Sequence, residues 1–294
     1  MTNSRSAFFF VLLLLIPATV YVLAIVAYPL IDTINLSFTN AGLPRTYKFV
    51  GWDNYAKIFN DTFGGVIGRT FIWTFFSVSI KMIIGTFGAV LLNAAIPGKA
   101  FFRVLTLPPW IIPMAIGIFM WGWMYNGQFG MISGILQDAG ILHTPYAWLA
   151  YGPSAFWATI VTDVWIGVPM VTIYLLAAIQ SIPRDLYEAA WADGAGRWYR
   201  FRRITLPLMR PAAITMSMLS LIATFNSFDI IWILTQGGPS GETTTMIIDT
   251  YQTAIGSKKY GEGAARAVLI CIFLSLFCFA YFRVTRRLNP EKRA

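Results

Sequence analysis

Long apolar runs separated by short polar segments make up most of the sequence. A helix needs about 20 mainly apolar residues to cross the hydrocarbon core of a bilayer, and six runs meet this length. The pattern therefore predicts an all-α membrane protein with a single transmembrane domain over residues 1–294. The six predicted spans cover about residues 8–31, 66–95, 104–125, 155–182, 208–234 and 264–282.

Basic residues are distributed unevenly between the predicted loops. Six spans place both termini on one side of the membrane, and that side holds fourteen of the 22 Lys and Arg residues. The other side holds seven, and Lys81 lies inside the second span. Since basic residues accumulate in cytoplasmic loops, we expect both termini to be cytoplasmic.

The composition agrees with a membrane protein and argues against several other classes. Hydrophobic residues are 57% of the chain and charged residues 12%, against about 45–50% and about 25% in soluble domains. The net charge of +9 is explained by the cytoplasmic loops, so no nucleic-acid partner is expected. The single His143 and the absence of a Cys/His cluster in the sequence predict no metal site.

Two further features concern thiol chemistry and energy supply. Cys271 and Cys278 lie seven residues apart in one apolar run, roughly 10 Å along a helix, which is too far for a disulfide. We expect both to be small buried hydrophobic residues. The sequence has no G-x-x-x-x-G-K-[ST] phosphate loop, so a pump built from this chain must draw its energy from another chain or from an ion gradient.

The polar segment at about 184–204, between the fourth and fifth spans, is more structured than an ordinary loop. Pro183 and Asp185 suit a helix start, and Gly194 predicts a break before a second helical pattern. Two interpretations are open at this point. The segment is either a helix that lies on lipid headgroups through its arginines or a helix that docks onto a partner protein.

The spacing in this segment resembles a known family signature. The pattern E-A-A-x2-D-G-A-x5-F-x2-I-x-L-P is the cytoplasmic signature of permease subunits of binding-protein-dependent ABC importers. The chain matches it at ten positions, namely Glu188, Ala189, Ala190, Asp193, Gly194, Ala195, Phe201, Ile204, Leu206 and Pro207. A second run, FDIIWILTQGGPSGET at 228–243, resembles the carbohydrate-uptake type, similar to the larger maltose permease or the first glycerol-phosphate permease.

The resemblance implies a fold, an assembly and a mechanism. The fold is that of a type I ABC importer permease, with six transmembrane helices and a cytoplasmic coupling helix in a bacterial plasma (inner) membrane. The expected partners are a second, homologous permease, two ATPase subunits, a soluble solute-binding protein, membrane lipid and a sugar or sugar-like substrate. The chain itself is expected to be no enzyme and to bind no cofactor, with ATP and Mg on the ATPase subunits.

The resemblance also assigns two docking surfaces. The outer turn that would dock the binding protein is Gly237, Gly238 and Pro239. The residues expected to contact an ATPase subunit are Tyr187, Glu188, Ala189, Ala190, Asp193, Gly194 and Arg197.

Polar and aromatic groups at membrane depth predict a substrate pathway. Lys81, Asp163 and Asp229 are ionisable residues inside spans, where each costs roughly 3 kcal/mol or more and is a functional candidate. Lys81 either pairs with an acid across the helix bundle or binds an anionic group of the substrate. In the fifth span, Asn226 and Asp229 are spaced i, i+3, and three aromatic residues are spaced i, i+3, i+7, which predicts polar groups beside aromatic platforms for a sugar. The substrate candidates are Asn226, Asp229, Phe225, Phe228, Trp232, Asp163, Trp165, Tyr174 and Lys81.

Three functional classes compete. The first is a subunit of an ATP-driven importer that forms half of a sugar pathway. The second is an ion-coupled secondary transporter that uses Lys81, Asp163 or Asp229 as a proton relay, which leaves the coupling segment unexplained. The third is a membrane enzyme, which would need a convergent catalytic set that the sequence does not provide. The substrate and the second permease are not identified by the sequence.

Overall fold

The protein is mainly helical in the part of the chain that the computed structural model describes, residues 4–42, 47–60, 63–94 and 97–288. In those residues the only strand-like pairing is one antiparallel bridge between Thr39 and Phe49. The predicted all-α fold class is therefore confirmed. The helices are α1 (Ser4–Val22), α2 (Tyr28–Ser37), α3 (Asp53–Asn60), α4 (Phe63–Asn93), α5 (Lys99–Leu105), α6 (Pro108–Ile111), α7 (Met114–Met124), α8 (Met131–Asp138), α9 (Gly152–Gln180), α10 (Arg184–Ala192), α11 (Arg197–Arg200), α12 (Leu206–Phe225), α13 (Asp229–Leu234), α14 (Met246–Tyr251) and α15 (Tyr260–Leu288).

Five helical runs in the described residues are long and apolar enough to cross a membrane. They are Leu13–Ser37, Phe63–Asn93, Gly152–Gln180, Arg197–Phe225 and Tyr260–Arg283. Lys99–Ile111 and Met114–Met124 make a sixth crossing if they are taken together, and they meet at a bend of 98°. Pro113 lies at this bend, where its missing N–H and its ring prevent a continuous helix. The prolines of the span predicted at 104–125, Pro108, Pro109 and Pro113, predict an early break, and the structure places the bend at Pro113.

The chain divides into two compact units. One comprises Met1–Gly64 and Asp249–Phe273, and the other comprises Gly65–Ile248 and Leu274–Ala294. In the first unit, Asn54 Nδ2 donates to the carbonyl oxygens of Ser37 and Thr39 at 2.8 and 2.7 Å. The same unit holds a buried ion pair, Arg266 Nε to Asp249 Oδ2 at 2.6 Å. These bonds tie the segment after α2 to α3 and the end of α14 to α15.

Helix α9 packs closely against α4 in the second unit. Half of an 18-residue apolar stretch of α9 is buried inside the protein, and the corresponding share for α4 is 33%. A Cβ placed on Gly85 of α4 would lie 2.5 Å from Val171 Cγ1, and one on Gly88 would lie 3.0 Å from Thr172 Oγ1. Small residues at such a contact allow two membrane helices to approach until their backbones nearly touch. The approach fixes how the polar residues of the two helices face each other.

The two cysteines are free, in agreement with their spacing. The expectation that both are buried is wrong, because Cys271 is exposed and Cys278 is only half-buried in this chain. Both lie in α15, which keeps most of its apolar surface on the outside. An apolar face of a membrane helix can contact lipid as readily as protein, so hydrophobicity alone does not indicate burial.

Candidate functional site: coupling segment, buried ion pair and outer loop

The coupling segment, residues 184–204, contains α10 and α11 joined by a turn at Gly194. This glycine has a φ of +76°, a left-handed conformation that costs least without a Cβ. Its N–H donates to the Trp191 carbonyl at 3.0 Å, and the Ala195 N–H donates to the Ala190 carbonyl at 2.9 Å. The two bonds form a Schellman motif, which ends a helix and satisfies its last carbonyls. The break predicted at Gly194 is therefore where α10 stops.

The surface of the coupling segment is open in the isolated chain. Trp191 and Trp198 are 72% and 70% exposed, and these two rings were not among the residues predicted to dock. Large exposed aromatic side chains are typical of surfaces that another protein covers. The presence of two tryptophans in an otherwise polar segment was the sequence signal that could have added them to the predicted docking surface. The predicted docking residues are also exposed or half-buried: Tyr187, Glu188, Ala189, Ala190, Asp193, Gly194 and Arg197.

A hydrogen bond connects the coupling segment to the following membrane helix. The hydroxyl groups of Tyr187 in α10 and Thr205 lie 2.9 Å apart. Thr205 is buried and ends the π-helical turn Phe201–Thr205, which continues directly into α12. Helix α10 is therefore connected to the start of α12 by a side-chain bond as well as by the chain itself.

A buried ion pair joins α4 and α9. Lys81 Nζ lies 2.6 Å from Asp163 Oδ2, and the two side chains are only 6% and 7% exposed. Lys81 also donates a hydrogen bond of 2.9 Å to Thr224 Oγ1 in α12. Of the two roles left open for Lys81, the structure provides the pairing with an acid across the bundle. The ion pair brings opposite charges together in a buried position, where an unpaired charge would be very costly.

The helices around this ion pair are shaped to receive the lysine. A Cβ on Gly167 of α9 would lie 2.7 Å from Lys81 Cδ, so glycine makes the room for the stem of the side chain.

Thr74, Ser77 and Lys81 follow i, i+3, i+7 spacing along α4, and all three are buried. Thr74 and Ser77 were not among the predicted site residues, although the helical period of this polar stripe is visible in the sequence.

The predicted fifth span is broken where its polar cluster lies. Helix α12 ends at Phe225 and α13 begins at Asp229, whereas the sequence predicted a single helix over 208–234. Asn226 and Asp229 are exposed at the two sides of this break. Asn226 Nδ2 donates to the Ile222 carbonyl at 2.9 Å and caps the end of α12. The i, i+3, i+7 helical spacing expected for the aromatic rings therefore does not run through the segment.

The aromatic candidates occupy different surroundings. Phe225 is buried, with its ring edge to the face of Phe71 at 5.8 Å. Phe228 and Trp232 stack on each other with centroids 5.4 Å apart, and both are half-buried. The pair is the part of the predicted aromatic set that the structure brings together.

The two candidates in α9 do not form one surface. Trp165 packs its ring against Trp121 at 5.9 Å. Tyr174 is nine residues further along the helix and 37% exposed. At about 3.6 residues per turn, nine residues place the two side chains on opposite sides of α9.

The segment between α13 and α14, residues 235–245, forms a compact outer loop. It contains Gly237, Gly238 and Pro239, the predicted docking turn, and the bond between Gly238 and Pro239 is cis. Gly237 is buried, while Gly238 and Pro239 are half-buried. The side chains that face outward most are Gln236, Ser240 and Glu242, which the sequence argument did not name.

Comparison with known proteins identifies the family. A family model described as the binding-protein-dependent transport system inner membrane component matches residues 6–294. The chain belongs to this family. The resemblance inferred from the coupling segment is thereby confirmed. The chain is an integral, multi-pass membrane permease, and in this family ATP is hydrolysed by separate subunits.

Relatives of known transport systems cover nearly the whole chain. The trehalose/maltose transport system permease protein MalF of Thermococcus litoralis is 36% identical over 277 residues, which are 93% of this chain and 92% of the relative. The diacetylchitobiose uptake system permease protein DasB of Streptomyces coelicolor is 32% identical, over 95% of this chain and 88% of the relative. These chains differ little in length, so the likeness is not confined to one motif.

The fold also matches a solved transporter. A chain of a bacterial alginate ABC transporter, solved in complex with an alginate pentasaccharide-bound periplasmic protein, has a TM-score of 0.83. The match covers 98% of this chain and 96% of that one at 20% sequence identity. At this identity the likeness establishes the fold, which is that of an ABC importer permease.

Proposed function

We propose that this chain is one of two related membrane subunits of an ATP-driven importer and forms half of the pathway for a sugar or sugar-like solute. Its relatives in T. litoralis and S. coelicolor are named for trehalose/maltose and diacetylchitobiose. The structural match belongs to a transporter of the acidic polysaccharide alginate. All three are carbohydrates, which supports a hydroxylated substrate delivered by a soluble binding protein.

The coupling segment is the observation that carries this proposal. Its helix α10 is exposed, ends in a defined turn and is bonded through Tyr187 to the start of α12. These are the properties that a helix needs if it is to receive a displacement and pass it to a membrane span. In the proposed assembly α10 seats in an ATPase subunit that binds ATP and Mg. Both termini then lie in the cytoplasm, as the distribution of basic residues predicts.

Different residues of the coupling segment would provide the charge and the shape for the contact with the ATPase. Glu188 provides an exposed negative charge for a basic group of that subunit, and Ala189 with Ala190 allows close approach. Trp191 and Trp198 add exposed aromatic area that the ATPase would cover. Aromatic anchors of this kind often supply most of the free energy of an interface. We therefore extend the proposed docking surface to both tryptophans.

The break between α12 and α13 is the proposed substrate contact. A broken membrane helix exposes backbone groups and polar side chains at membrane depth, which is tolerated where they line a cavity. Asn226 and Asp229 would bind sugar hydroxyls there, with the stacked rings of Phe228 and Trp232 nearby. Phe225 is a weaker candidate because its side chain is buried. Trp165 and Tyr174 are weaker candidates because they lie on opposite sides of α9. Lys81 and Asp163 are better placed to hold the helices than to bind sugar.

The ion-coupled alternative has no support from the relatives. It relied on Lys81, Asp163 or Asp229 as members of a proton relay. Lys81 and Asp163 are bonded to each other and almost completely buried. We therefore do not pursue a relay through this pair.

Co-purification tests the proposal. The chain is expressed with the second permease, the ATPase and the solute-binding protein of its transport system, and the retained ATPase is measured after purification through this chain. Glu188→Lys should release the ATPase, because it reverses the charge at the proposed contact. The matched control is Asp138→Lys, the same change at the exposed end of α8, which should retain it. Undiminished ATPase retention by Glu188→Lys would contradict the proposed contact.

A further inference from the structure

The outer loop is held in shape by hydroxyl groups of its own threonines. The hydroxyl oxygens of Thr235 and Thr243 are 2.7 Å apart, and Thr243 Oγ1 donates to the Gly238 carbonyl at 2.8 Å. Thr244 Oγ1 donates to the Gly237 carbonyl at 3.0 Å. Both glycine carbonyls of the predicted docking turn are therefore bound from inside the loop.

These bonds are buried, whereas the surface that they support is not. Thr243 is 0% exposed and Thr244 is 6% exposed. Gln236 and Ser240 are exposed and have φ values of +52° and +50°. Residues other than glycine keep this left-handed conformation only where their surroundings hold them in it. Backbone bonds within the loop, such as that from the Thr243 N–H to the Gly237 carbonyl at 3.2 Å, contribute to this, and the buried threonine hydroxyls add to them.

Two further bonds tie the loop to the membrane helix α4. Arg69 Nε donates to the Thr244 carbonyl at 3.1 Å. The backbone N–H of Met246, which begins α14, donates to Thr70 Oγ1 at 2.9 Å. Arg69 and Thr70 are consecutive residues, so one turn of α4 fixes the far end of the loop. The loop is thus stabilised by hydroxyl groups of its own threonines and by two hydrogen bonds to α4.

We propose that Thr243, Thr244 and Arg69 are positioning residues that hold the outer loop in the shape recognised by the soluble binding protein. The inference rests on the proposed function, in which a soluble binding protein delivers the solute, and on the prediction that Gly237–Pro239 is its docking turn. A surface that is already in its bound shape loses less conformational entropy on association. Loss of these bonds should therefore weaken docking and leave the maximal rate of ATP hydrolysis by the assembled transporter unchanged.

The test is a titration of ATPase activity with the solute-binding protein of the same transport system, using the complete transporter in lipid nanodiscs. Thr243→Val keeps the shape of the side chain but removes the donor to the Gly238 carbonyl. We expect the half-saturating concentration of binding protein to rise about five- to ten-fold, as loss of one buried hydrogen bond implies. The maximal rate and the rate without binding protein should not change.

Two variants separate positioning from a general loss of structure. Thr243→Ser restores the hydroxyl and should recover the wild-type half-saturating concentration. Thr215→Val is the control, because Thr215 is exposed in α12 and its hydroxyl bonds only the carbonyl of Pro211. If Thr243→Val fails to assemble, Arg69→Gln leaves the hydroxyl bonds of the loop in place and should produce the same rise. An unchanged half-saturating concentration in both Thr243→Val and Arg69→Gln overturns the inference.

A cross-linking experiment distinguishes this result from a failure of the docking proposal itself. Ser240→Cys, made in a chain with Cys271→Ala and Cys278→Ala, carries a photoactivated cross-linker at the exposed tip of the loop. Capture of the binding protein from Ser240 supports docking at the loop whatever the titration shows. Capture combined with an unchanged titration refutes only the positioning role. Absence of capture, with an active transporter, refutes docking at this loop and the positioning role with it.

Discussion

Loss of the ammonium group of Lys81 should destabilise the protein strongly. In Lys81→Met the apolar stem is kept, but the carboxylate of Asp163 loses a partner at 2.6 Å in a site where its side chain is only 7% exposed. Removing one member of a buried ion pair typically costs about 3–5 kcal/mol, because the remaining charge stays buried without compensation. Thr224 also loses the hydrogen bond that it accepts from the lysine. We expect a cost in this range.

The double variant Lys81→Met/Asp163→Leu is the informative comparison. Replacing both members of a buried pair by apolar residues of similar volume is often neutral, so the double variant should be more stable than Lys81→Met alone. The assay is thermal unfolding of the purified transporter in lipid nanodiscs, followed by the loss of the monodisperse complex. A coupling free energy above about 0.5 kcal/mol between the two sites would be evidence of direct interaction.

The same variants decide between a structural role and substrate contact. A structural pair predicts lower thermal stability with little change in the sugar concentration that half-saturates transport by the folded protein. If instead Lys81→Met unfolded at the wild-type temperature and raised that concentration for an anionic sugar alone, the reasoning from burial would be refuted. Additive effects of the two substitutions on stability would contradict it as well.

Three other substitutions test separate parts of the structure. Tyr187→Phe should remove the hydrogen bond between α10 and the buried hydroxyl of Thr205, which is worth about 1 kcal/mol. We expect less sugar to be transported per ATP hydrolysed in proteoliposomes, while the ATPase stays bound. An unchanged ratio of sugar to ATP would count against a role of this bond in coupling. Gly167→Ala should destabilise the protein by about 1–3 kcal/mol, since its Cβ would lie 2.7 Å from Lys81 Cδ. Gly134→Ala is the control, because no atom lies within 4 Å of the Cβ that it would add. Equal melting temperatures of the two variants would contradict the close packing at Gly167. Asn226→Ala should raise the half-saturating sugar concentration without affecting assembly, and normal uptake kinetics would refute the substrate role.

Much of the coupling segment was predictable because its determinants are local. A helix start at Pro183, a left-handed glycine at Gly194 and a small-residue face are each decided by a few neighbouring residues. The two exposed tryptophans were visible in the same segment, but sequence alone does not distinguish a ring that a partner covers from one that packs inside the chain.

The substrate region was harder to predict, since it depends on where a membrane helix breaks. No proline or glycine lies between Phe225 and Asp229, so the apolar pattern predicted one continuous helix. The structure ends α12 at Phe225, with Asn226 bonded back to the Ile222 carbonyl. An asparagine side chain can replace a backbone donor in this way, but whether it does so depends on what the next helix packs against.

The order of apolar and polar segments by itself determined that the chain is an all-helical membrane protein, and the spacing around Glu188 identified its family. Both properties follow from the bilayer and from short-range backbone geometry, which act on residues close together in the chain. Only the tertiary structure decided that Lys81 meets Asp163, 82 positions away, and that buried threonines brace the outer loop against α4. Such contacts depend on which helix faces pack together, and within a membrane apolar faces can turn toward lipid or protein at similar cost.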